Sequence, residues 1–312
     1  MQRTRSLTEG AILSGLFIIL MLLTIFVPPL VYILLWFLPL PFLIYTARYG
    51  LRSALVMFIV LFLLSLFIGG LTGVPFVLMF GLGGITVGEM IRRKKEPLFV
   101  LVGGSLAYVT SLMVIYAVTI LVFNINPVET LQNVMRDSAV QAESMLNSIG
   151  QDGADSVEAM SEVIIQIGYM IPVIMVSAGA GFAVITQVIA HYFLKRLSIP
   201  YQPFPPFREW NFPKSLLWFY LAAIVLTLIG AEEGTTPYLL IWNVYWFLGN
   251  IMIIQGCTVV FYYCYKKSLP KALPIIFVIS LVILPIIPLF ARILGIIDLG
   301  FRLKERLETD KK

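Results

Sequence analysis

Leu16-Phe17-Ile18-Ile19-Leu20-Met21-Leu22-Leu23 is apolar at every position. A transmembrane barrel strand would alternate polar and apolar residues over a short segment, and this stretch does not alternate. It sits inside an apolar run, residues 10–27, close to the roughly 20 residues that cross a hydrocarbon layer as a helix. A helix satisfies its backbone polar groups internally, which lipid demands. The run is too long for the apolar part of a signal peptide, lacks an Ala-x-Ala site, and leads straight into a second run, so it reads as a span. Over the 312 residues, 59% are apolar and 12% charged. A water-soluble domain carries about twice that charged share. The expected fold is an all-α polytopic membrane protein of about 8–9 transmembrane helices, with the lipid bilayer as its main partner.

Working outward, the runs fall at 10–27, 30–46, 53–70, 74–91, 98–124, 163–194, 215–231, 238–265 and 272–291. Pro39 and Pro41 predict a kinked or re-entrant second span. Gly69, Gly70 and Gly73 predict a tight turn between the third and fourth. Pro274, Pro285 and Pro288 predict a bent or broken last run. The implied organisation is a six-helix core over 1–195, a linker at 196–214, membrane helices over 215–300 and a basic tail at 301–312.

Charge orients these spans. Arg3 and Arg5, Arg48 and Arg52, Arg92 to Lys95, Lys195 with Arg196, Arg208 and Lys214, and Lys266, Lys267 and Lys271 occupy alternate gaps. Short cytoplasmic loops collect Lys and Arg, so the N-terminus is expected in the cytoplasm of a bacterial cell. The gap 125–162 carries Glu129, Asp137, Glu143, Asp152, Asp155, Glu158 and Glu162 against Arg136 alone, a net −6, and is expected outside. The net charge of +5 comes mostly from the basic loops and marks orientation, not nucleic-acid binding. The tail stays ambiguous. Nine full spans place Arg302, Lys304 and Arg306 outside, whereas a re-entrant last run returns them to the cytoplasm.

The linker interleaves Pro200, Pro203, Pro205, Pro206 and Pro213 with Tyr201, Phe204, Phe207, Trp210 and Phe212. It reads either as a docking strip for a cytoplasmic protein or as a stiff segment lying on the membrane.

No enzyme signature emerges. His191 is the single histidine, and there is no His-Glu-x-x-His, no Gly-x-Ser-x-Gly and no Walker A sequence. Neither a cofactor site nor a metal-ligand cluster is expected, and no Lys or Arg falls inside the nine runs. Cys257 and Cys264 lie seven apart on one run, too far along it for an easy disulfide. Gly84 and Gly88 form a Gly-x-x-x-Gly packing pair. Gly10, Ala11, Ser14 and Gly15 give the first span a smooth face for a neighbouring helix, internal or from a partner subunit.

Polar groups within or beside the runs are costly unless partnered, so they mark the candidate solute pocket. These are Asn124, Asn126, Gln166 and Tyr169 near the acidic gap, Glu232 and Glu233, and Trp242, Asn243, Trp246 and Asn250 on the eighth run. Carboxylates beside aromatic faces suit a cation or a flat ring.

The stretch Arg5-Ser6-Leu7-Thr8-Glu9-Gly10-Ala11-Ile12-Leu13-Ser14-Gly15-Leu16 resembles the first helix of the S components of energy-coupling-factor vitamin transporters. Pro39-x-Pro41 followed by Arg48-Tyr49-Gly50-Leu51-Arg52-Ser53-Ala54, and the glycines from Gly81 to Gly88, are similar too. Over its whole length the chain resembles the YybS-type family of uncharacterised bacterial membrane proteins, chiefly at Pro205-Pro206-Phe207-Arg208-Glu209-Trp210 and Pro213-Lys214-Ser215-Leu216-Leu217-Trp218. The S-component resemblance implies an S-component-like core over roughly 1–195. It also implies capture of a small molecule near the outer face, and docking of an energy-coupling transmembrane subunit on Ala11 and Gly15.

Two functions fit. One is a substrate-binding membrane subunit for a small solute, driven by partner subunits. The other is a scaffold or regulator that carries no cargo and holds cytoplasmic partners. Paired reporter fusions within 125–162 test the common frame: an alkaline phosphatase fusion there should be active and a fluorescent-protein fusion dark, and the reverse result overturns the orientation.

Overall fold

A computed structural model describes residues 2–148 and 154–309. Its helices are α1 (Gln2–Phe26), α2 (Val31–Leu34), α3 (Pro39–Tyr49), α4 (Leu51–Ile68), α5 (Gly70–Phe76), α6 (Leu82–Arg92), α7 (Pro97–Leu121) and α8 (Pro127–Ser148). They continue as α9 (Ala154–Tyr169), α10 (Ile171–Arg196), α11 (Ser215–Ile229), α12 (Thr236–Lys266), α13 (Ala272–Ile283), α14 (Ile286–Phe301) and α15 (Leu303–Thr309). No strand occurs among the described residues. Among the described residues seven stretches are long and apolar enough to cross a bilayer, and the apolar helices α11 and α13 are shorter. The all-α polytopic membrane fold expected from Leu16–Leu23 is therefore the fold observed. The chain forms two compact units, Met1–Gln141 with Ile174–Phe204, and Ala142–Val173 with Pro205–Lys312.

In the first unit, Phe17 and Met21 of α1, Phe42 of α3, Phe80 just before α6, and Tyr108 of α7 make a fully buried centre. The second span is broken where its prolines predict. A turn over 35–38 precedes α3, and Pro39 opens that helix where its missing N–H is not needed. Pro75, by contrast, lies inside α5, and the fourth span accommodates it through a π-helical turn at Val77–Gly81. Gly70 makes the bend out of α4 with φ +58, which suits glycine. Gly84 and Gly88 do pack a helix: a Cβ on either would come within 2.5–2.6 Å of the Pro39 or Leu43 carbonyl of α3. The opposite faces carry exposed apolar side chains such as Phe67, a surface suited to lipid and not to water.

Two readings of the stretch before α10 change. The gap 125–162 is not an open loop but is largely helical, as α8 and α9; Asp152 lies outside the described residues. The sixth run, expected from 163, begins at Ile171, because Tyr169 ends α9 and Met170 makes the turn.

The second unit is built on α12, whose 31 residues extend about 46 Å. Thr235 caps its start, its side chain accepting from the Tyr238 amide, and Pro237 sits in the first turn. Helix α14 lies along α12 with backbones nearly touching. A Cβ on Gly256 would overlap the Ala291 carbonyl, and one on Gly295 would overlap that of Met252. Gly249 faces Arg292, Gln255 bonds Asp298 and Thr258 bonds Lys304. Residue numbers rise together on the two helices, so α14 runs parallel to α12.

The last run is accordingly not one span over 272–291. It is cut at Leu284–Pro285, because proline cannot continue the ladder. Helix α13 leaves the linker end of α12 and α14 returns to it. At 12 residues, about 18 Å, α13 is shorter than a hydrocarbon core of about 30 Å. The tail then meets the linker: Lys304 Nζ donates to the Trp210 carbonyl at 2.6 Å. Of the two positions left open by the sequence, the tail takes the linker side.

Gly295→Leu should separate α14 from α12 and cost about 1–3 kcal/mol or more. Thermal unfolding in detergent should show a clear loss, while Gly15→Ala, which meets open space, leaves the midpoint unchanged.

Candidate functional site

At the Glu232–Glu233 end of the second unit, α9, α11 and α12 surround a cavity of about 250 Å³. Its wall consists of Gln166, Leu226, Thr227, Gly230, Ala231, Glu233, Tyr238, Ile241 and Trp242. Three sequence-predicted residues, Gln166, Glu233 and Trp242, thus meet at one site, although they come from three separate stretches of chain. Tyr169 stands beside it, its ring edge-on to Tyr238 with centroids 5.6 Å apart. Glu232 instead turns the chain into α12: its carbonyl accepts from the Thr235 hydroxyl at 2.6 Å.

An aromatic ladder leads from the cavity along α12. Tyr238 stacks on Trp242 at 5.8 Å, and Trp242 stacks on Tyr245 at 6.1 Å. Trp246 lies edge-on to both Trp242 and Tyr245, and Tyr220 of α11 stacks on Tyr245. The spacing explains the ladder, since residues three and four apart share a helix face.

Arg292 closes the ladder and corrects the expectation of no cation within the membrane helices. Its Nη1 donates to the Tyr245 hydroxyl at 3.2 Å, and its guanidinium carbon lies 5.7 Å from both the Tyr245 and the Trp246 ring centroids. Gly249 leaves the room the guanidinium fills. Among the described residues no carboxylate pairs with it. The Arg292 Nε and the indole nitrogens of Trp242 and Trp246 are buried without a hydrogen-bond partner. The sequence did carry a signal. The apolar pattern resumes after Pro288 and continues to Leu299, with Arg292, Gly295 and Asp298 spaced by three along one side.

The remaining candidates have structural roles or lie elsewhere. Asn243 holds two helix ends together: its Nδ2 donates to the carbonyls of Tyr169 and Leu239 at 2.8 Å, and its Oδ1 accepts from the Val173 amide at 2.9 Å. Asn250 is partly buried further along α12, outside the cavity wall. Asn124 and Asn126 belong to the first unit. Asn124, three residues past the end of α7, is left-handed with φ 53, and Asn126 caps α8 through the Val128 amide and binds Glu129. On α1 the small face divides. Gly10 is pressed against Tyr45, Ala11 is exposed, Ser14 is half-buried, and nothing lies within 4 Å of a Cβ built on Gly15.

At the linker end a second cavity, about 290 Å³, includes Asn211, Lys214, Asp298, Arg302 and Lys304 in its wall. Its polar groups satisfy one another. Gln255 Nε2 donates to Asp298 at 2.6 Å and to Asn211 at 3.1 Å, and Lys304 Nζ donates to Thr258 at 3.0 Å. Burial lowers the Lys304 pKa, and the charge of Asp298 opposes that shift. Among the described residues no group of three or more His, Cys, Asp or Glu gathers as for a metal.

A family described as "Predicted membrane protein (DUF2232)" matches residues 15–299. The chain belongs to that family. It is 33% identical to the uncharacterized protein YybS of Bacillus subtilis (strain 168) over 310 residues, covering 99% of this chain and 100% of the relative. No solved structure matches. The DUF2232 membership places this chain among multi-pass membrane proteins and agrees with the YybS resemblance of the linker. The match runs through α14, so it includes Arg292 and Asp298.

Replacing Asn243 with Leu should leave the Tyr169 carbonyl and Val173 amide short of partners, at about 1–3 kcal/mol. The expected outcome is a lowered unfolding midpoint in detergent with faster proteolysis around Met170. Val244→Thr, on the exposed side of α12, should leave both unchanged.

Proposed function

We propose that this DUF2232 chain is a membrane-embedded binding subunit that takes a small solute into the cavity at the Glu232–Glu233 end of the second unit. The supporting observation is the meeting of Gln166, Glu233 and Trp242 around about 250 Å³ of space. Ligand sites are concave and mostly apolar with a few placed polar groups, and drug-sized ones occupy roughly 300–1,000 Å³. This one suits something smaller, with a flat face to lie on Trp242 and Tyr238.

With the N-terminus in the cytoplasm, as the basic loops imply, the cavity opens outward. No nucleotide-binding sequence occurs, so energy would come from a partner. The open Ala11 and Gly15 side of α1 is where an energy-coupling transmembrane subunit would dock. In this arrangement the spans within residues 1–195 serve as the six-helix core, and 215–300, together with Gln166 of α9, holds the solute.

The scaffold reading has less support. Phe207 packs edge-on against Phe261, Arg208 lies 4.0 Å from the Tyr265 ring centroid, and the Trp210 indole donates to the Pro205 carbonyl. These side chains of the Pro-aromatic strip are engaged by their own unit.

Native mass spectrometry of the full chain released from nanodiscs should reveal a bound small molecule. Trp242→Ala should lose it, and Trp218→Ala, on the exposed face of α11, should keep it. Equal occupancy in both variants, or no adduct in the parent protein, would count decisively against a solute-binding role.

A further inference from the structure

We infer that the solute carries an anionic group, a carboxylate or its equivalent, and that Arg292 with the indole N–H groups of Trp242 and Trp246 receives it. This deepens the solute-binding reading and rests on it. Three buried N–H donors, the Arg292 Nε and the two indole nitrogens, have no acceptor. They belong to one cluster: Trp242 and Trp246 have centroids 6.3 Å apart, and the guanidinium carbon lies 5.7 Å from Trp246. Donors without acceptors in a low-dielectric interior are costly, and the groups that satisfy them best are negatively charged oxygens.

The depth of Arg292 narrows the ligand. It faces Gly249, about 20 Å along α12 from Thr236 and about 25 Å from Lys266. That is the middle of the helix, away from either headgroup layer, so a lipid phosphate is a poor match. An arginine there is a functional-site hypothesis by default, and among the described residues it has the Tyr245 hydroxyl but no carboxylate. The partner's route is the aromatic ladder, because Trp242 belongs both to the cavity wall and to the donor cluster. Glu233 does not oppose this choice. It is exposed at the rim, where water and salt screen it, whereas the charge on Arg292 acts inside the unit.

A charge series at constant shape tests the assignment. Full-length protein in phosphatidylcholine nanodiscs is titrated with benzoate, benzamide and benzamidine, read by tryptophan emission and calorimetry. Benzoate should bind at least about tenfold more tightly than benzamide, and Arg292→Gln should bring benzoate down to the level of benzamide. Tyr245→Phe keeps the ring stack and removes the hydroxyl that holds Arg292, so it should weaken benzoate alone. If Arg292→Gln does not fold, the parent charge series and Tyr245→Phe still decide the matter. Equal affinity for benzoate and benzamide, or preference for benzamidine, overturns the anion assignment and leaves a solute pocket standing. Binding of none of the three overturns the pocket as well. Loss of benzoate binding on adding phosphatidylglycerol overturns the free-solute assignment in favour of a lipid headgroup.

Discussion

The backbone approach of α14 to α12 is the constraint on which the second unit depends. At Gly256 and Gly295 neither helix has a side chain to keep the other away, so carbonyls and α-carbons meet directly. Lipid tails are as apolar as leucine, so helices inside a membrane gain little from burying apolar surface. They associate through close packing and shared hydrogen bonds. The glycines permit that packing, and everything polar on α14 is then fixed in height against α12. Asp298 comes level with Gln255, and Arg292 comes level with Gly249.

The linker end and the middle of this helix pair treat charge differently. Near the linker, Asp298, Lys304, Gln255 and Asn211 pair with one another, so charge and hydrogen-bond capacity are balanced internally. Higher up, Arg292 has a hydroxyl and two ring faces but no carboxylate. An opposite charge at 4 Å gains about 1 kcal/mol in water and about 4 kcal/mol at an effective dielectric constant near 20. An arginine at mid-membrane costs about 2.5–3.5 kcal/mol by insertion scales, against about 0.5–2 kcal/mol for each ring contact. The first network is a latch that holds the tail to the linker. The second is unfinished, and its incompleteness is what suggests a ligand.

The first unit follows the same physics for a different purpose. Gly84 and Gly88 let α6 lie on α3, and Glu89 holds Arg92 through two 2.8 Å bonds at the end of the same helix. Tyr108 of α7 and Thr186 of α10 join two helices at 2.8 Å, while Gln187 Oε1 and His191 Nδ1 are buried without a hydrogen-bond partner. Such pairs brace the helices, whereas in the second unit three unpartnered donors, on Trp242, Trp246 and Arg292, fall in one cluster.

Solvent identity was legible from composition alone. A chain with so many unbroken apolar runs has to satisfy its backbone in helices, and Leu16–Leu23 shows it in eight residues. The break at Pro39 and the pairing of Gly84 with Gly88 are local consequences of residue type, so they too could be read in advance; the π-helical turn after Pro75 was not. Gln166, Glu233 and Trp242 could be named as polar or aromatic residues out of place, but their convergence depends on three helices meeting. Arg292 was missed because a run of hydropathy has no direction. Counted forward from Ala272, the last span ends before it. Only when Pro285 turns the chain and α14 runs back beside α12 does that arginine acquire its aromatic neighbours, for side-chain partners far apart in sequence are chosen by helix packing and not by helix propensity.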